Sequence, residues 1–385
     1  MNRVITSAII LGLAGSCFAA TPLGFRGDGS GLYPEANPAL HWSVTNNVVW
    51  KTAFTNWSNA SPLLVGDLIF TCAEPASLIC LSAKDGSILW QDAITNIPSM
   101  APETHADNGY TSATPCSDGK KIWMVFGQGV VACWDISGKK VWETFLEVPP
   151  HKKWGSCISP RLAGDVLAVQ FENLYGLDPN TGVTKWKVKT GWKWGTPVVA
   201  KISGKDILYT CKGKAFDAAS GQEFPEQGLP ALDFNSPCLV NGVLYYIYDK
   251  PKAFTLPSSL SDKPAPLWPE IKLDESKARY YATPVIHDGL VYAINEKGLF
   301  YVLDQATGSV VFTNKFNFDI TYQSPTLAGD YVFLSCEKGI TAVVKTGRTY
   351  EFVALNNLEK FRACPVFSGT RMYIRTLKHL WCIGR

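Results

Sequence analysis

Short apolar runs, many of them β-branched or aromatic, alternate along the chain with polar turns built on Gly, Asp and Asn. Leu68-Ile69-Phe70, Leu244-Tyr245-Tyr246-Ile247 and Tyr331-Val332-Phe333-Leu334 are representative, and each follows such a turn, at Gly66-Asp67, Asn241-Gly242 and Gly329-Asp330. Runs of this kind favour strands, and the turn residues tolerate the positive φ of tight hairpins. The pattern recurs. Each copy opens on a small residue before proline: Ser61-Pro62, Thr114-Pro115, Ser159-Pro160, Thr196-Pro197, Ser236-Pro237, Thr283-Pro284, Ser324-Pro325 and Cys364-Pro365. Successive prolines lie 37 to 53 residues apart, the period of one propeller blade. A third run ends in a second turn containing Gly86, Gly138, Gly182, Gly221 or Gly308, and a bulky aromatic follows four of these (Trp90, Trp142, Trp186, Phe312). Each copy therefore reads as a four-stranded antiparallel meander with alternating burial, its aromatic packed between neighbouring sheets.

The chain ends specify how the array closes. The eighth copy runs out at Leu380-Trp381-Cys382-Ile383-Gly384-Arg385 after three strands, and Val48-Val49-Trp50-Lys51-Thr52-Ala53-Phe54 supplies a spare strand ahead of the first copy. Pairing the two removes two open sheet edges. The expected fold is all-β, an eight-bladed propeller over residues 48–385, with residues 21–47 as an extension packing on it. The fifth copy is interrupted by Pro251, Pro257, Pro264, Pro266 and Pro269, and its merger with a neighbour would leave seven blades.

Length would by itself suggest two or three domains, but a closed array of small sheets is a single domain of any length. The chain has 385 residues, is 46% hydrophobic and 18% charged, and its net charge of +3 is scattered. That distribution argues against nucleic acid as a partner. Arg3, the apolar run Val4 to Leu13 and the small residues after it mark residues 1–20 as a signal peptide. Cleavage after Ala19 and lipidation of Cys17 both fit, although Ala14 stands where the lipoprotein pattern has Leu. An exported protein is expected, periplasmic or extracellular and monomeric, touching membrane only through a lipid on Cys17. The remaining cysteines sit in apolar strand contexts and read as buried hydrophobes. Cys72 and Cys80 are the pair that a hairpin near Pro75 could place opposite each other.

At the second Gly turn the residues resemble a known repeat. Gly176-Leu177-Asp178-Pro179-Asn180-Thr181-Gly182 running to Trp186, Ala132 to Trp142, and Val302 to Phe312 are similar to the repeat of the pyrroloquinoline quinone (PQQ) propellers. Phe25-Arg26-Gly27, Trp42-Ser43 and Asn47 to Thr52 resemble the lead-in of bacterial exported members. The resemblance covers residues 25–385. It implies the propeller fold and three kinds of function. Quinoprotein dehydrogenases of the family hold PQQ and Ca²⁺ at the axis and oxidise alcohols or sugars. A lipoprotein of the outer-membrane barrel assembly machinery binds protein without a cofactor. Many further members are unassigned.

Candidate chemistry is sparse. The dehydrogenases carry two adjacent cysteines beside the quinone, and this chain has none. Asp107, Asn108, Asp233, Asn235 and Asp319 lie near the relevant face without a spacing that assigns Ca²⁺ ligands or a base. No nucleophile, P-loop or zinc motif occurs, and His41, His105, His151, His287 and His379 lack ligand spacing. The loops before each proline instead carry Trp57, Tyr110, His151, Lys152, Trp154, Trp192, Lys193, Trp194, Arg279, Tyr281, Tyr322 and Arg362. Aromatics mixed with Lys and Arg are enriched at binding hot spots, and propeller loops converge on a central mouth. The expectation is a non-enzymatic propeller binding a protein, a glycan or an anionic small molecule there. The competing readings are aromatics wedged between blades, and a PQQ-dependent dehydrogenase with Ca²⁺. Trp192-Lys193-Trp194 stands out, because strand alternation cannot bury all three side chains.

Overall fold

The computed structural model describes residues 23–98, 103–149, 154–273 and 278–385; the expected signal peptide lies outside them. Among the described residues there are eight blades, each a four-stranded antiparallel sheet. Blade 1 runs through Leu63–Val65, Leu68–Ala73, Ser77–Ser82 and Ile88–Ala93. The inner strands of blades 2 to 8 start at Cys116, Arg161, Val198, Cys238, Val285, Thr326 and Val366. Blade 5 is complete despite its prolines, with strands Cys238–Val240, Val243–Tyr246, Lys252–Thr255 and Ala265–Pro266. The count is eight, and no merger occurs. No helix among the described residues is long and apolar enough to cross a membrane.

The ring closes as the ends require. Val48–Ala53 pairs antiparallel with His379–Ile383, setting Trp50 opposite Cys382 and Ala53 opposite His379. Two arginines reinforce this seam. Arg375 of blade 8 is fully enclosed and donates to the carbonyls of Thr376 and Leu377 and, across the seam, of Cys72 in blade 1. Arg371 donates to the carbonyls of Ala83 and Lys84.

Burial departs from simple alternation. The two middle strands of a blade are covered on both faces by neighbouring blades, as in Lys121–Phe126 and Val130–Asp135. Alternation is seen in outermost strands such as Thr184–Lys189, and in the inner strand Val198–Ile202 of blade 4. The Trp of that outer strand joins one blade to the next. A bulged residue precedes it in the ladder, for example Leu89 before Trp90 and Lys185 before Trp186, and a bulge re-aims the side chain that follows. Trp186 then lies against Gly221 of blade 4 and donates its indole N–H to the carbonyl of Ala218 at 3.0 Å. Trp50 is seated in the same way on Gly86, Trp90 on Gly138, Trp142 on Gly182 and Trp268 on Gly308. Gly221 has φ +72, and a Cβ there would stand 2.6 Å from the indole. The position needs glycine twice over, for its dihedral and for the ring it carries. Where the seat is absent the joint changes. Phe312 meets Tyr350 edge-on at 5.9 Å, and Trp42 of the amino-terminal extension packs with blades 7 and 8.

All ten cysteines among the described residues are free. Cys72 pairs with Leu78 and Cys80 with Phe70, so the register sets the two thiols diagonally rather than opposite, and the suggested disulfide is not formed.

Replacing Trp186 with Ala should cost about 3 to 5 kcal/mol, the range for removing a large packed aromatic. Gly221→Ala should destabilise through the same joint. Urea unfolding of both variants, with exposed Leu89→Ala as a control that moves little, measures this.

Candidate functional site

The residue before each proline is held extended by the ring that follows it. Here those eight residues face the axis and line one cavity of about 750 Å³. They also hold the blades together. The backbone N–H of Thr114 donates to the hydroxyl of Ser159 at 3.0 Å, Ser159 N–H to Thr196 at 3.1 Å, and Thr196 N–H to Ser236 at 2.9 Å. Ser236 N–H continues to Thr283 at 3.0 Å, and Thr283 N–H to Ser324 at 2.9 Å. Cys364 N–H returns to Ser61 at 2.8 Å, across the closure seam.

A second ring stands above the first. The residues three positions before each proline all line the same cavity: Asn59, Ser112, Cys157, Trp194, Phe234, Tyr281, Tyr322 and Arg362. Four consecutive blades supply aromatics and form a continuous arc. Trp194 stacks on Phe234 at 5.3 Å, Phe234 meets Tyr281 at 4.9 Å, and Tyr281 meets Tyr322 at 4.9 Å. The opposite half of the ring is small and polar. Cations flank the arc: Arg362 lies 4.6 Å over Tyr322 and Arg279 5.8 Å over Phe234. Arg279 also donates to the Tyr281 hydroxyl at 2.9 Å, and this bond is the main reason its guanidinium holds its proton more tightly than usual. Burial raises the Tyr322 phenol.

Carboxylates in the turns on this face fix the loops. Glu74 accepts from the backbone N–H of Tyr110 at 2.8 Å and of Thr111 at 2.7 Å. Glu337 holds Arg362 through its Nε at 2.7 Å, and Glu296 accepts from the Arg279 N–H at 3.1 Å.

The expected site residues separate. Trp154, Trp194, Arg279, Tyr281, Tyr322 and Arg362 line the cavity. Trp192 stands behind, packed on Trp194 at 4.2 Å with its indole nitrogen enclosed and without a hydrogen-bond partner. Lys193 is paired with Asp233. Trp57 lines a neighbouring cavity of about 390 Å³ with Asp107, Arg362 and His379. Tyr110 is tied to Glu74 through its backbone and is not among the residues lining either cavity. His151 and Lys152 fall outside the described residues. Tyr280 and Phe361 are buried between blades, as the wedge reading expects. Sequence reasoning missed Asn59, Ser112 and Cys157, which the fixed offset from proline would have found.

The cavity floor comes from the extension. Leu23 exchanges backbone hydrogen bonds with Ser117 of blade 2, and Leu32–Tyr33 pairs parallel with blade 7. Between them Phe25 reaches the cavity. Arg26, only 2% exposed, donates to the Pro325 carbonyl at 3.0 Å.

The profile of the PQQ_2 family, outer membrane protein assembly factor BamB, matches residues 20–153 and 77–238. The chain belongs to this family. Among solved structures it is similar to BamB from Moraxella catarrhalis, with a TM-score of 0.65 at 15% identity, covering 87% of this chain and 96% of that one. A europium-containing methanol dehydrogenase is similar with a TM-score of 0.62 at 12% identity, covering 90% of this chain and 95% of that one. Quinohemoprotein alcohol dehydrogenase from Comamonas testosteroni gives 0.62 at 11% identity, covering 96% of this chain and 81% of that one. At these identities the structural likeness establishes the propeller fold alone. No curated protein matches the chain in sequence.

Ca²⁺ beside a quinone would draw on carboxylate and amide oxygens, and Asn59, Asn108, Asp233, Asn235 and Glu296 are those that line the mouth. Among the described residues no three His, Cys, Asp or Glu side chains come together as a metal site. Of the cavity carboxylates, Asp233 is engaged by Lys193 and Glu296 by the Arg279 backbone.

Cys157 is the one half-exposed thiol among the described residues, and burial pushes its pKa up to about 12. A raised pKa leaves little thiolate at pH 8. Native protein should therefore take up iodoacetamide slowly and first at Cys157, whereas in denaturant all ten thiols should react. Peptide mass spectrometry reads both.

Proposed function

We propose that this chain is an exported, non-enzymatic propeller that binds a protein partner across the mouth formed by its inter-blade loops. The observation that carries this is the asymmetric upper ring, an aromatic arc from Trp194 to Tyr322 flanked by Arg279 and Arg362. Aromatic and Arg side chains dominate binding energy at interfaces, and rings already packed against one another lose little freedom on binding. Membership in a family named for an assembly factor supports a protein as the partner. In this reading residues 1–20 direct export, residues 21–47 brace the propeller from below, and the loops alone meet the partner. The fixed positions of the loop backbones favour a preformed surface over one that orders on contact.

The dehydrogenase reading is tested directly. Purified protein supplied with PQQ and Ca²⁺ should give no dye reduction with alcohols or aldoses; sustained turnover would overturn the proposal.

A photo-crosslinking amino acid placed at Phe234 should capture a discrete protein in the native cell envelope. The same group at Leu89 on the outer rim should not. Trp194→Ala combined with Tyr281→Ala should abolish that capture in protein that still unfolds cooperatively. Equal capture from the rim, or none from the mouth, would remove the basis for this reading.

A further inference from the structure

The lower ring has a polarity that the upper ring does not reveal. Six of its hydroxyls, on Ser61, Ser159, Thr196, Ser236, Thr283 and Ser324, already accept a backbone N–H from the adjoining blade. Each hydroxyl also carries one O–H donor. Those of Ser61 and Ser324 lie against the Cys364 sulfur, whereas among the described residues no protein acceptor takes the O–H of Ser159, Thr196, Ser236 or Thr283, and all six residues line the cavity. The ring contains no carboxylate. It therefore offers unused donors, each on an oxygen that already accepts one N–H.

A buried cation lies beside it. Arg26 donates to the carbonyl of Pro325, next in the chain to Ser324, and its Nε has no hydrogen-bond partner. No ion pair to Arg26 occurs among the described residues. A guanidinium enclosed without a counter-charge projects an electrostatic field that water screens poorly. Above the ring, Arg279 is exposed at the rim and is likewise without an ion pair among the described residues, its guanidinium bonded to a neutral phenol.

From this we infer that the cavity seats an oxyanion head, a carboxylate, phosphate or sulfate, on the free O–H groups of Ser236 and Thr283. The apolar or aromatic body of the same ligand lies against Phe234, Tyr281 and Tyr322 directly above. An acceptor-only anion matches free hydroxyl donors placed between two arginines. A neutral amide would gain no charge-assisted bond from these hydroxyls or from the arginines, and a cation would face Arg26. The inference rests on the mouth being the binding surface and names the chemistry of what enters it, either an acidic side chain on a partner's inserted segment or a free small acid.

Calorimetric titration of the full chain tests this with four probes: phenylacetate, phenylacetamide, acetyl-Phe-Glu-amide and acetyl-Phe-Gln-amide. Each acid should bind about tenfold or more tightly than its amide, the scale of a charge-assisted hydrogen bond set against a neutral one. Whichever acid binds more tightly identifies the source of the head. Arg279→Gln touches no blade joint and should weaken both acids about three- to tenfold while leaving the amides unchanged. Thr283→Ser keeps the hydroxyl and should bind as the parent does. Thr283→Val should lose about tenfold for the acids, with cooperative melting as the check that the propeller still folds although the Ser236 N–H loses its acceptor. Amides binding as tightly as acids, or acids whose affinity ignores both Arg279→Gln and Thr283→Val, would overturn the oxyanion seat. Capture from Phe234 by photo-crosslinking would still stand in that event, so the two failures are distinguishable.

Discussion

The structure depends on a single repeated hydrogen bond, from the backbone N–H of a pre-proline residue to the hydroxyl of its counterpart in the next blade. Proline makes the bond possible. It lacks an N–H of its own and holds the preceding residue extended, so that residue's N–H is free to point sideways to the neighbouring blade. Six such bonds run around the axis among the described residues, the last crossing from Cys364 to Ser61 where the chain ends meet. The Trp-on-Gly joints pin the same blades at the outside. Between blades 2 and 3, 3 and 4, 5 and 6, and 8 and 1 both joints occur, so these pairs are fixed at two radii and rotating one against the other would break both contacts.

This girdle sets the height of everything above it. A side chain three residues before proline projects to the same level in every blade, so the ring composition changes by substitution without a change in backbone. In blades 4 to 7 the position carries Trp194, Phe234, Tyr281 and Tyr322, and in blades 1 to 3 it carries Asn59, Ser112 and Cys157. The resulting mouth has one adhesive wall and one open, polar wall. The extension closes the far side, because Phe25 forms the floor while its neighbours bond to blades 2 and 7. What enters must come from the loop face.

Much of the fold was legible because period, turn and closure each left a local mark. Pro62 to Pro365 gave the blade count, and the spare strand at Val48–Ala53 gave the closure. The exceptions have physical reasons. Trp268 was invisible because its own blade lacks the Gly turn that flags the others; its seat, Gly308, belongs to the next blade. Alternating burial failed in the middle strands, since a strand covered by sheets on both faces has no polar side to show. The site was legible by residue type but not by position. Trp192 and Trp194 look equivalent in sequence, yet one supports and the other faces the cavity. Lys193 found Asp233 forty residues away, a pairing that no local pattern announces. The hydroxyls before proline were counted as merely small, and their role emerged only when blades were placed side by side.

The most direct test is amide hydrogen exchange at the six donating positions, Thr114, Ser159, Thr196, Ser236, Thr283 and Cys364. If the girdle holds the ring, these amides exchange only through global unfolding and share its free energy, although they sit at the base of surface loops. Exchange at the rate of the neighbouring loop amides, with the strands still protected, would contradict the account.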